Sequence, residues 1–328
     1  MSADVKTEDE YEDLLGQWSD LEAGLATLLN HPENVQEFEA RLYQYDRWMQ
    51  DLTQRDTDLA LYLLFQLAAQ SHVGYSTSHA LMCAVLCQVL APEFALPQNE
   101  RNSLVRAALT MNIAMTTLQD ELARQPGKPT PEQQTGIASH ADRGAMLLGQ
   151  LGINNEMWLD AVSLHHHEDW PQVELQNLTP VQRISHILHV VDRYAAMISP
   201  RRSREGRSAA DSAQSILHGN GAKDNPVGQS LLRVIGLCPP GTFVKLVGNE
   251  IAIVMRRSSQ TNHPDVAIVL DRNGQTVRRP VLQHGAEIGS DIQGFVSASA
   301  VQERINHHLI LQLGAKADSR NVVAGIAP

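Results

Sequence analysis

The run His165-His166-His167-Glu168, read together with His79, His140 and Asp192, offers one chain several side chains that ligate metals. Imidazole nitrogen and carboxylate oxygen suit borderline divalent ions such as iron, manganese and zinc, so metal-assisted chemistry is what these residue types point to. A lone histidine on an apolar helix face is more often a hydrogen-bonded core residue than a ligand. The weight therefore rests on the combination, and on whether the elements that carry these residues aim them at one place.

In a helix expected over about Ser76 to Leu90, His79 shares a face with Cys83, Leu86, Cys87 and Leu90, so it points inward. The same count over Arg183 to Ile198 places Asp192 beside Ile184, Leu188 and Ala195. A carboxylate on a buried stripe must find a cation or hydrogen-bond donors, or else protonate, which favours a ligand or polar-network role over exposure. His140 falls near the start of a helical segment expected over His140 to Leu151, and His166-His167 end another that begins near Glu156. Consecutive helical residues point about 100° apart, so three adjacent histidines cannot all face one site from within a helix, whereas two can at its terminus. The three cysteines, Cys83, Cys87 and Cys238, are odd in number and lack a CxxC spacing; they read as reduced core residues.

At 328 residues and 43% hydrophobic content, a main domain with a smaller companion is expected. Helical spacing dominates an acidic lead-in over 1–70, with His31-Pro32 as punctuation, and a helix-rich body over 71–237. After Cys238-Pro239-Pro240-Gly241 the segments TFVKLV, EIAIVMRR and DVAIVLDR are short and β-branched, with Asp271-Arg272-Asn273-Gly274 as a turn, so 238–328 reads as a small β extension with a short helix near Val301 to Leu313 and a tail. No stretch approaches an uninterrupted membrane span, and the acidic start differs from a signal peptide; a cytoplasmic protein is expected. A net charge of -11 argues against a general nucleic-acid binder. The local exception, Arg201, Arg202 and Arg204, is either a solvated loop or a phosphate-contacting segment.

The segments YSTSHALMCAVL, VRAALTMNIAM, PGKPTPEQQTGIASHADRGAMLL, SLHHHEDW and RISHILHVVDRYAAMISPRRSR occur in this order over roughly 71–270. Together with PPGTFVKLVGNEIAIVM and DVAIVLDRNG they resemble the HD-GYP branch of the HD-domain metal-dependent phosphohydrolases. The resemblance implies a mainly α fold, an HD-domain helical bundle with an N-terminal helical lead-in and a small C-terminal β extension. It also implies hydrolysis of cyclic di-GMP at clustered metals, where a bridging hydroxide attacks phosphorus. His140, His166 and His167 would then belong largely to one metal, and His79 and Asp192 to another.

Four departures from that pattern stand out. The family's His-Asp pair falls on Met111-Asn112, a soft thioether and a neutral amide that cannot bridge two cations as a carboxylate does. The lysine expected shortly after falls on Met115, the Gly-Tyr-Pro signature is replaced by Asp169-Trp170-Pro171-Gln172, and His186 stands where an arginine is expected. The resemblance with its defects implies a catalytically impaired regulatory or interaction module that senses a cyclic dinucleotide or docks with signalling proteins, with one divalent ion (iron, manganese or zinc) or none. The alternative is an active phosphodiesterase or phosphohydrolase with a single-metal or rearranged site that recruits His165, Glu168, Asp169 or His186. A third is a purely structural helical scaffold.

Overall fold

In the computed structural model the residues described are 8–70, 74–167, 173–199, 206–218, 225–257, 263–285, 292–301 and 305–314. Eleven α-helices among them precede a small antiparallel sheet. The first three, α1 (Glu8–Asn30), α2 (Phe38–Arg55) and α3 (Thr57–Gln70), form the lead-in, and a short 3-10 turn at Pro32–Asn34 marks the break between α1 and α2. The body consists of α4 (Tyr75–Leu90), α5 (Gln98–Thr110), α6 (Thr116–Arg124), α7 (Pro131–Gln150), α8 (Glu156–Leu164), α9 (Pro180–Ile198), α10 (Ala209–His218) and α11 (Pro226–Ile235). The mainly α fold with a C-terminal β extension is the one expected.

Two of the helices that matter for the site start at the same local signal. Thr130-Pro131-Glu132-Gln133 and Thr179-Pro180-Val181-Gln182 each form a capping box, in which the threonine hydroxyl accepts from the backbone N–H of the glutamine and the glutamine side chain accepts from the threonine N–H. Proline at the first helical position has no N–H to leave unsatisfied. The helix that carries His140 therefore begins at Pro131, nine residues before the sequence expectation, and His140 lies in its middle. Helix α5 stops at Thr110: Met111 caps it, and Asn112 opens a 3-10 turn over Ile113–Met115. Asn112 is buried, but it does not share a continuous helical face with Val105 and Ala108.

Helix α4 lies at the centre and packs on α3, α5 and α9, with His79, Leu81, Cys83, Leu86 and Cys87 all buried. With the 3-10 turn that follows it, over Tyr75–Phe94, it is long and apolar enough to cross a membrane by composition, but 78% of it is buried in this core. Polar residues such as His79 and Gln88 interrupt it, and its apolar composition is accounted for by packing on three helices.

The sheet runs in the order β4-β3-β2-β1-β5, with all neighbours antiparallel: β1 (Phe243–Leu246), β2 (Ile251–Arg256), β3 (Asp265–Leu270), β4 (Leu282–Gln283) and β5 (Ile292–Val296). The expected turn after β3 forms, with Asp271 accepting from the N–H groups of Asn273 and Gln275 and Gly274 at positive φ. A helical segment at 307–314 overlaps the stretch where a short helix was expected.

One apolar core joins all three sequence regions, from Trp18 and Leu21 in α1 through Trp158 in α8 to Met255 in β2 and Ile310 near the C-terminus. Buried ion pairs cross the same boundaries. Arg106 of α5 binds Asp46 of α2 at 2.9 Å and stacks over the Tyr43 ring at 3.9 Å, and Arg256 of β2 binds Asp56, the residue before α3, at 3.1 and 2.7 Å. Gly241 sits at φ +87 against α3, where a Cβ would stand 2.6 Å from the Tyr62 carbonyl oxygen; only glycine permits that approach.

Candidate metal centre

Two groups of ligand side chains converge among the described residues: His140, His165 and His166, and separately His79, Cys83 and Asp192. In each group the donor atoms lie within 4.8 Å of one another.

The imidazole group is assembled from α7 and the turn that ends α8. His165 caps α8 with its side chain fully buried, and the chain then leaves helical geometry, which brings His166 round beside it. His189 of α9 pins this turn, since its Nδ1–H donates to the His165 carbonyl at 2.9 Å. His140 and His165 are each anchored three residues back along their own helices: His140 Nδ1 bonds the Ile137 carbonyl, and His165 Nδ1 bonds the Val162 carbonyl at 2.6 Å. A carbonyl can only accept, so both Nδ1 atoms carry hydrogen and both Nε2 atoms present lone pairs.

Those two Nε2 atoms face each other at 3.2 Å. Burial pushes the pKa of both rings down, that of His165 to about 3, and the neighbouring His166 adds to the effect; near neutral pH neither ring holds a second proton that could bridge them. Two buried lone pairs at this separation repel unless a cation lies against them. Backbone acceptors that fix the tautomer and leave Nε2 free are also how metal-binding histidines are oriented. The donor set and its tautomers therefore fit a divalent ion with an open coordination position.

In the second group, His79 Nε2 lies 2.8 Å from Asp192 Oδ1 and 3.6 Å from Cys83 Sγ, and Tyr75 stacks on the His79 ring at 5.6 Å. Burial alone would raise the Asp192 pKa, but the His79 hydrogen bond and the imidazoles of His79, His165 and His166 together outweigh it and hold the carboxyl below the usual range. Helix α4 is placed by α6: Asp120 accepts from the Ser76 N–H at 2.7 Å, setting a carboxylate at the positive end of the helix dipole. Gly74, at φ +143, makes room, because a Cβ there would stand 2.7 Å from Asp120 Oδ2. Helix α9, which brings Asp192, is tied to α5 by Arg183 with two bonds of 2.9 and 2.7 Å to Glu100.

No protein-family model matches the chain. It is 25% identical over 190 residues to the cyclic di-GMP phosphodiesterase PA4108 of Pseudomonas aeruginosa, an alignment that takes in 57% of this chain and 46% of that protein. The chain thus spans about half the length of the curated relative it matches. Among solved structures it resembles Bd1817, an HDG"Y"P protein from Bdellovibrio bacteriovorus, with a TM-score of 0.50 at 14% identity over 71% of this chain and 73% of that one. The fold is thus similar to that of an HDG"Y"P protein, and more than half of the chain is similar in sequence to a cyclic di-GMP phosphodiesterase.

Measured against the HD-GYP-like expectation, the imidazole group differs in one member. His165 takes the place expected for His167, which is exposed and belongs to neither group. The helix terminus explains this: α8 ends at Leu164, one residue before the histidine run, so the pair that turns toward His140 is the first two of the three. Cys83, read from sequence as core, joins His79 and Asp192. The signal was available in the four-residue spacing of His79 and Cys83 on one inward face. Met111 is fully buried, Asn112 nearly so and Met115 half-buried. His186 is half-buried one turn before His189, and burial together with His189 pushes its pKa down to about 4. Glu168, Asp169, Arg201, Arg202 and Arg204 lie outside the described residues, as does the segment that replaces the Gly-Tyr-Pro signature.

Proposed function

We propose that this chain is a catalytically impaired HD-GYP-like module of cyclic-dinucleotide signalling, which holds a divalent metal on His140, His165 and His166 and regulates by binding, with little or no turnover. The observation that carries the reading is that the two ligand groups have no residue in common; the sequence resemblance assigns the pair that would join them to Met111 and Asn112, both buried. Two-metal phosphodiester chemistry places its ions about 3.5–4 Å apart around a bridging oxygen. A carboxylate that bridges both ions holds that spacing, and Asn112 is neutral.

When bound, the ion supplies positive charge that neutralises a phosphate oxygen. The chain's own residues do the rest: Ile137 and Val162 fix the two tautomers, and His189 holds the turn. The test is hydrolysis of cyclic di-GMP by the full chain with added manganese or iron(II), alongside calorimetric titration of the nucleotide. Binding without measurable turnover is expected, and robust turnover overturns the reading.

The second reading, a working phosphohydrolase with a rearranged site, draws support from His165, a candidate replacement ligand that stands in the imidazole group. It requires turnover that disappears in His165→Ala.

A further inference from the structure

We propose that Cys83 is a ligand of the second metal that the resemblance implies at His79 and Asp192, its thiolate supplying, in a site of mixed nitrogen, sulfur and oxygen donors, the anionic ligand that Asn112 cannot. This goes beyond the function proposed above; it rests on the metal-binding part of that reading and is independent of whether turnover is lost.

The geometry comes from two packed helices. His79 and Cys83 are four residues apart on the same face of α4, and Asp192 enters from α9, which packs directly on it. Nε2 of His79 lies 2.8 Å from the carboxylate and 3.6 Å from the sulfur, so one imidazole nitrogen is the vertex on which the other two donors converge. Cys87, one turn further along α4, is equally buried but belongs to no ligand group, which makes Cys83 the cysteine set apart by position.

Charge explains why such a site would work in a buried place. A thiolate and a carboxylate together cancel a divalent cation, so the loaded site carries no net charge where an unpaired charge is most costly. Metal entry releases the thiol proton to solvent as the metal–sulfur bond forms. A sulfur donor also sets preference among ions: zinc and iron(II) are favoured over magnesium and manganese, which prefer oxygen.

The experiment uses the full-length chain loaded with zinc and, separately, with cobalt(II). X-ray absorption of the zinc form is expected to show a sulfur shell at about 2.3 Å beside nitrogen and oxygen at about 2.0 Å. The cobalt form is expected to show a near-ultraviolet thiolate-to-cobalt band that is lost in Cys83→Ser and retained in Cys87→Ser, Cys238→Ser and His140→Ala. The wild-type absorption spectrum does not depend on any variant folding. A nitrogen and oxygen shell alone overturns the inference, as does a sulfur band that survives Cys83→Ser. If cobalt binds without that band and is released by His140→Ala, this inference falls and the imidazole site stands. If neither metal binds, both fall. Robust cyclic di-GMP turnover with the band intact overturns the earlier reading and leaves this one.

Discussion

His165 is the residue on which the imidazole group turns, because its Nδ1–H is committed to the Val162 carbonyl and its Nε2 has nowhere to point except toward His140. His165→Ala is therefore expected to weaken zinc binding at this group by at least about 10-fold, whereas His167→Ala changes it less than about 2-fold. Competition titration against a chromophoric chelator measures both, and an equal loss in the two variants would refute the assignment. The same burial makes the metal-free chain sensitive to acid. The His165 pKa falls from an ordinary 6.5 to about 3 on folding, so between those values the unfolded chain takes up a proton that the folded chain refuses. Stability from this group is fully present above about pH 6.5 and is lost as pH falls, by on the order of 2 kcal/mol at pH 5. Asp192, held below its usual range, acts in the same direction only at still lower pH. Urea unfolding of chelator-treated protein at pH 7 and pH 5 is expected to show this loss, and His165→Asn is expected to flatten it. An unchanged slope in the variant would remove His165 as its source.

Among the elements, α5 and α9 set the depth of the site, and the Arg183–Glu100 pair fixes one against the other. Glu100 is 4% exposed, so removing its partner strands a buried charge. Arg183→Ala is expected to destabilise the chain by about 3–5 kcal/mol, and replacing both members with apolar residues of similar size should recover most of the loss. Equilibrium denaturation of the single and double variants checks this; equal destabilisation by the two would mean that the packing, and not the stranded charge, matters. What the sequence disclosed at this scale depended on the kind of signal. Period alone placed His79 and Asp192 on inward faces, because α4 and α9 are regular through those residues. Period misplaced the start of α7, which is marked by Thr130, Pro131 and Gln133 and not by apolar spacing. The end of α5 had no local mark: no glycine or proline follows Thr110, and Met111 and Asn112 continue the helical pattern, so the stop depends on packing beneath it.

In the molecule as a whole, the three regions that composition separates share one core, and long-range pairs of a kind that periodicity cannot reveal hold them together. Arg256 and Asp56 are 200 residues apart in sequence, and neither lies in a pattern that names the other. The pair is buried, and Asp56 also accepts from the Leu59 N–H at the start of α3, so one carboxylate serves both the helix and the sheet. Gln66 reaches the Gly241 carbonyl, and the Tyr62 hydroxyl meets His307 Nδ1 at 2.9 Å, adding two further ties from the same helix. Arg256→Ala should therefore cost about 3–5 kcal/mol, since it leaves Asp56 buried without its cation. Arg272→Ala, which removes a solvent-exposed partner of Glu250, should leave the midpoint unchanged. The location of the damage is more telling than its size. If lead-in, body and extension unfold as one unit, hydrogen exchange in Arg256→Ala will accelerate together in α3 and in β1 to β3. Acceleration confined to the sheet, with α3 still protected, would show that the extension is an independent unit merely resting on the helices.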